Sequence, residues 1–191
     1  NKFMENTNSD NEQIFKDKNE PSFIVTILEI FKVLLIALAI VIPIRAFIAQ
    51  PFKVSGESMI PTFHDKDYLI IDEISYRFQD PKQGDVIVFH PPKNKSIYYI
   101  KRIIAVPGDT IDISDTNVRI SNVDNPEGSI IDEPYISKET TGRKHIVLGD
   151  NEYFVMGDNR PNSEDSRVWG VLTKDKITGR VLTRLYPFNS I

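Results

Sequence analysis

The chain has 191 residues, 40% of them hydrophobic and 26% charged, and a formal net charge of −4. That length allows one compact domain and an anchor but not two large domains, and the acidic balance without a basic stripe argues against a nucleic-acid binder. With no cysteine, disulfides, thiolate zinc sites and a cysteine nucleophile are excluded, and His64, His90 and His145 lie too far apart to suggest a histidine metal site.

Residues 1–21 are polar and Asn-rich and close on Pro21; they are expected to form a disordered tail. Residues 22–48 are expected to be a transmembrane anchor. The stretch Phe23–Ile44 matches the roughly 20 residues needed to cross a bilayer, and Val33–Ile42 is wholly apolar. Glu29 and Lys32, three apart, can pair on one helical face. A buried core helix and a cleaved secretory signal are the other readings. The span is long for the first, and Ala46-Phe47-Ile48-Ala49 is a poor exit site for the second. Lys2, Lys16 and Lys18 upstream, against Arg45 and Lys53 downstream, lean toward a cytoplasmic N-terminus.

From residue 49 to 191 the pattern is short β-rich runs separated by turn residues. The expected strands are Tyr68–Ile71, Val86–Phe89, Ile97–Val106, Thr110–Ile113, Tyr153–Met156 and Ile177–Leu185, which together predict a mainly β domain. Residues 111–149 are more polar and richer in turns, and are expected to be an inserted subdomain.

Three stretches carry candidate chemistry. In Ser55-Gly56-Glu57-Ser58-Met59-Ile60-Pro61-Thr62, Pro61 discourages helix and Gly56 permits an unusual backbone angle, so Ser58 would be presented in a turn. An ordinary surface turn has the same features. In Tyr99-Ile100-Lys101-Arg102-Ile103-Ile104, strand alternation puts Lys101 on the face of Tyr99 and Ile103, and Arg102 on the face of Ile100 and Ile104. One cation must then be covered. A buried lysine loses its proton easily, and the neutral amine could take the proton of Ser58. An edge strand with both cations in water is the alternative. The third stretch, Gly157-Asp158-Asn159-Arg160-Pro161-Asn162-Ser163-Glu164-Asp165-Ser166-Arg167, is either a hydrogen-bonded scaffold or a solvated loop with surface ion pairs.

Taken together and in order, these blocks, with Gly84-Asp85-Val86-Ile87-Val88-Phe89 and Lys101-Arg102-Ile103-Ile104-Ala105-Val106-Pro107-Gly108-Asp109, resemble bacterial signal peptidase I, in its Gram-positive-like form with one membrane anchor. Asp132-Glu133-Pro134-Tyr135 is a weaker match. The resemblance implies a signal peptidase/LexA-like all-β catalytic domain and a serine endopeptidase that removes signal peptides. It implies Ser58 as nucleophile and Lys101 as general base, Ser163 hydrogen-bonded to that lysine, and an Asp165–Arg167 salt bridge bracing the loop. Arg102 needs an acidic partner, expected to be Asp158. Gly56 stands where the best-known Gram-negative form has a serine that donates to the oxyanion, so the backbone N–H of Ser58 is expected to serve there.

Val54, Met59, Tyr99 and Ile100 are candidates for the shallow pockets that take small substrate side chains; plain core residues are the other reading. No metal or cofactor is expected. The expected partners are the signal peptides of secreted preproteins and the lipid bilayer. The protein is expected to be a monomer in the cell membrane, crossing it once, with its catalytic domain on the extracytoplasmic side. Two rivals remain: a LexA-like Ser-Lys autoprotease, which would carry a DNA-binding helix-turn-helix, and a membrane-tethered β-domain without catalysis.

Overall fold

The computed structural model describes residues 23–47 and 50–187; the expected tail of residues 1–21 lies outside them. The chain divides at Ile42/Pro43 into two units. The first contains most of helix α1 (Phe23–Phe47). From Phe23 to Ile42 its mean hydropathy is 2.7 and none of it is buried against protein. Apolar side chains exposed on every side suit hydrocarbon rather than water, and 20 residues at 1.5 Å each span about 30 Å, the thickness of a bilayer core.

The second unit is mainly β. Its strands are β1 (Gln50–Lys53), β2 (Tyr68–Asp72), β3 (Val86–Phe89), β4 (Tyr99–Ala105), β5 (Thr110–Ser114), β6 (Asn117–Ser121), β7 (Ser129–Ile130), β8 (Lys144–Val147), β9 (Glu152–Met156), β10 (Leu172–Thr173) and β11 (Ile177–Tyr186), with a one-turn helix α2 (Ser166–Trp169) before β10. Seven strands form one antiparallel sheet in the order β1-β2-β11-β3-β4-β9-β10, and four form a second in the order β7-β6-β5-β8. The strands of the second sheet fall between Thr110 and Val147.

Strand β4 is covered on both faces, which settles where its two cations go. Ile103 packs with Ile87, Phe89, Tyr153, Val155 and Leu172. Its neighbour Ile104 packs on the other side with Ile111, Ile113, Val118, Ile120 and Phe154, the core that joins the two sheets. A third core of Val54, Leu69, Ile71 and Val88 lies under β1 and β2. Phe52 of β1 meets Tyr98, just before β4, edge to face at 5.1 Å between ring centroids. These two strands are separated in the sheet by β2, β11 and β3, so the sheet must curl to bring their ends together, in the sense of its natural twist. The curl encloses the cleft described next.

Candidate active site

The cleft has a volume of about 660 Å³ and runs between the β1 end (Phe52–Ser58) and the start of β4 (Ile97–Lys101). Ser58 sits in the turn that follows β1. Gly56, two residues earlier, has φ +95°, a backbone region that favours glycine, and its N–H donates to Asp65 Oδ1 at 3.0 Å. The turn is then held from the far end of the chain: Asn159 N–H donates to the Ser58 carbonyl and Asn159 Nδ2 to the Glu57 carbonyl, both at 3.0 Å. The Ser58 N–H donates to no acceptor among the described residues, which leaves it available to an oxyanion.

Lys101 is only 4% exposed. Its Nζ donates to Ser58 Oγ at 2.7 Å and to the Ile100 carbonyl at 3.0 Å, and it lies 5.3 Å from the centre of the Tyr99 ring. Burial draws its pKa down to about 8, against the opposing pull of Asp165, Glu164 and Asp158; Arg167 assists the lowering. Arg102, on the other strand face, forms the expected ion pair with Asp158: Nε to Oδ1 is 2.9 Å and Nη2 to Oδ2 is 2.6 Å. Asp158 is fully buried and also accepts from the Thr62 hydroxyl, so both of its oxygens are occupied.

The loop after β9 is a scaffold and not a solvated turn. Asp165 is fully buried. It takes both prongs of the Arg167 guanidinium at 2.8 Å, caps α2 by accepting from Arg167 N–H, and accepts from Gly157 N–H at 3.1 Å. Gly157 is wedged so tightly that a Cβ there would strike the Ser58 carbonyl and Ser163 Oγ, with Ser163 Cβ 2.7 Å away.

Two expectations differ from what the structure holds. Ser163 Oγ makes no hydrogen bond to Lys101; it is buried without a hydrogen-bond partner among the described residues, turned against Gly157. Met59 does not line the cleft. It is 1% exposed, buried next to Ser58 in the same turn. Val54, Tyr99 and Ile100 do line it. The cleft also includes residues that sequence reasoning missed, notably Glu57, Asn162 and Glu164. Asn159 was missed as a clamp, although its place in Gly157-Asp158-Asn159-Arg160 marks a dense polar loop.

Among the described residues no group of acidic or histidine side chains is placed to hold a metal ion. A serine hydroxyl against a buried amine, open to a long cleft, is the arrangement of serine hydrolases that use lysine in place of histidine. Residues 27–186 match the family described as signal peptidase, peptidase S26. The chain belongs to that family.

It is 39% identical over 168 residues to a probable signal peptidase I-2 of Synechocystis sp., covering 85% of this chain and 74% of that one. It is 34% identical over 179 residues to signal peptidase I S of Bacillus subtilis, covering 87% of this chain and 92% of that one. Among solved structures, a signal peptidase I of Enterococcus faecalis superposes with a TM-score of 0.47 at 28% identity, covering 55% of this chain and 98% of that chain.

Proposed function

We propose that the protein is a membrane-bound serine endopeptidase that cleaves signal peptides from exported preproteins, with Ser58 as nucleophile and Lys101 as general base. The observation that carries the assignment is the 2.7 Å contact between a buried, easily deprotonated amine and the serine hydroxyl. With Lys101 neutral, its lone pair accepts the hydroxyl proton as Ser58 Oγ attacks the scissile carbonyl. The tetrahedral oxyanion is met by the Ser58 N–H, and Gly56 supplies no side-chain donor. Lys101 then returns its proton to the leaving amine. A water attacks the acyl-enzyme with the same lysine as base.

The substrate lies extended in the cleft, adding main-chain hydrogen bonds beside β1 and β4. Its small side chains sit against Val54, Tyr99 and Ile100, and a large one would meet Phe52 and Tyr98. Helix α1 anchors the enzyme in the bilayer and keeps it where signal peptides emerge; the catalytic unit lies on the extracytoplasmic side. One chain supplies every group of the site, so the enzyme acts as a monomer. Incubating the full chain in detergent with a model preprotein and sequencing the new N-terminus tests the assignment. Cleavage after a small residue supports it, and an intact preprotein refutes it.

A further inference from the structure

Arg160 is one of the largest fully buried side chains of the described residues, at 2% exposure. A guanidinium is seldom so deep without dedicated partners. The partners of its two Nη atoms come from outside the catalytic loop. Nη1 donates to Glu133 Oε2 at 2.8 Å, Nη2 donates to Glu133 Oε1, and Nη1 also reaches the Thr140 hydroxyl. Glu133 and Thr140 lie between β7 and β8, in the excursion that carries the second sheet. Burial alone would weaken the charge on Arg160; the bonds and charge of Glu133 outweigh that and raise its pKa above the ordinary value.

From this buried fork two paths lead to the reacting groups. On one, Arg160 Nε donates to the Gly157 carbonyl at 3.1 Å, and Gly157 is the residue wedged against the Ser58 carbonyl. The Arg160 carbonyl in turn accepts from Arg167 Nη2 at 2.6 Å, joining the Asp165–Arg167 brace. On the other, Tyr135 donates its hydroxyl to Glu133 Oε1 at 2.9 Å, and its ring lies 4.0 Å from the Arg102 guanidinium, next to Lys101 on β4. One carboxylate therefore touches Arg160 in the loop that clamps the nucleophile and, through the Tyr135 ring stacked on Arg102, reaches the strand that carries the base.

We infer that Glu133 is a positioning residue: through Arg160 and Tyr135 it fixes the relative placement of Ser58 and Lys101, which makes the excursion part of the catalytic apparatus. The inference rests on the Ser58–Lys101 assignment. It requires that loss of Glu133 act on turnover more than on substrate binding. It also requires that the rate limb set by Lys101 move upward in pH, because a loosened site admits water to the amine.

The test uses the full chain in detergent with a model preprotein. Glu133→Gln is expected to lower kcat about 100-fold, the scale of a misplacement of roughly 1 Å, with KM nearly unchanged and the acid limb shifted to higher pH. Because a lone buried charge destabilises the fold, the companion variant is E133M/R160M, in which the pair becomes apolar and folding is largely restored. Its kcat is expected to stay low. Arg160→Lys keeps the charge but not the fork and is expected to fall in between. Asp115→Asn, which breaks only an exposed ion pair in the excursion, is expected to behave as wild type. Wild-type kcat and pH profile in folded E133M/R160M would overturn the inference, as would a Glu133→Gln enzyme that melts earlier yet turns over normally. Ser58→Ala and Lys101→Ala run beside these: turnover in either refutes the dyad itself, whereas a dead dyad with an unaffected Glu133→Gln refutes only the positioning role.

Discussion

Lys101 Nζ and Ser58 Oγ are 2.7 Å apart across 43 positions of sequence, and neither is placed by its own segment alone. The serine turn is held by Asn159 and the lysine strand by two cores, so the contact is a property of the assembled sheet.

Replacing either partner with alanine should lower preprotein cleavage about 1,000-fold or more, as for other nucleophile–base pairs. Folding should survive in Ser58→Ala, since the turn is held through main-chain groups. Initial rates of processing with matched circular dichroism spectra check this; substantial turnover in either variant refutes the assignment.

Cleavage should depend on pH through Lys101. Its pKa of about 8 makes the amine mostly protonated at neutral pH, so the rate rises as pH increases through about 8 and levels off above it. Glu164 is exposed and its charge holds that pKa up. Glu164→Gln should therefore move the limb to lower pH. A profile of kcat/KM against pH for both enzymes measures the displacement, and an unmoved or raised limb contradicts the electrostatic account.

The buried Lys101 should weaken the fold. Its folded pKa of about 8 lies below the value of about 10.4 for a free lysine, so at neutral pH the folded state holds a charge it disfavours. Lys101→Met, which keeps length and removes charge, should stabilise the protein by about 2 to 3 kcal/mol at pH 7. The advantage should be full below pH 8 and fade as pH rises toward about 10.4, where the unfolded lysine also becomes neutral. Denaturant titrations at pH 7 and pH 10 check both parts. Equal stability of the two proteins at pH 7 would count against a buried charge.

Two glycines near Ser58 should respond differently to alanine. At Gly56 nothing lies within 4 Å of an added Cβ, so the cost is only the φ of +95°, about 1 kcal/mol of stability. At Gly157 the added methyl meets the Ser58 carbonyl and Ser163. Gly157→Ala should therefore push the nucleophile out of line and reduce kcat about 100-fold. Comparing kcat and melting temperature in the two variants separates strain from displacement.

Much of this was legible in the sequence, and the gaps have physical causes. Val86–Phe89 reads as a strand because it is a β-branched and aromatic run between turn residues, and it forms β3 with those bounds. Strand β1 was not anticipated because Pro51 argues against a strand; it is tolerated since β1 is an edge that pairs only with β2. The strands β6 and β8 were missed because they are short runs in a polar stretch rich in turn residues, although β6 alternates buried Val118 and Ile120 with exposed Asn117 and Arg119. Lys101, Asp165, Arg167 and the Arg102–Asp158 pair followed from strand alternation and the resemblance. Arg160 did not. Beside Pro161 and Asn162 it looks like a solvated turn residue, and only its distant partner Glu133 reveals it as buried. The orientation of Ser163 and the burial of Met59 depend on packing around Gly157 and the serine turn, which no local pattern encodes.

The strand order has a bearing on biosynthesis. β11, the last strand in sequence, lies between β2 and β3 in the interior of the seven-stranded sheet. A nascent chain that has exposed Ser58, Lys101 and the Asp165 loop still lacks the strand that joins the β1–β2 hairpin to β3 and β4. Until β11 is in place, the β1–β2 hairpin lacks its backbone link to β3 and is held near β4 by the Phe52–Tyr98 contact, the Val54–Val88 core and the Asn159 bonds to the Ser58 turn. The seven-stranded sheet that frames the Ser58–Lys101 contact is therefore closed by the last strand to be made.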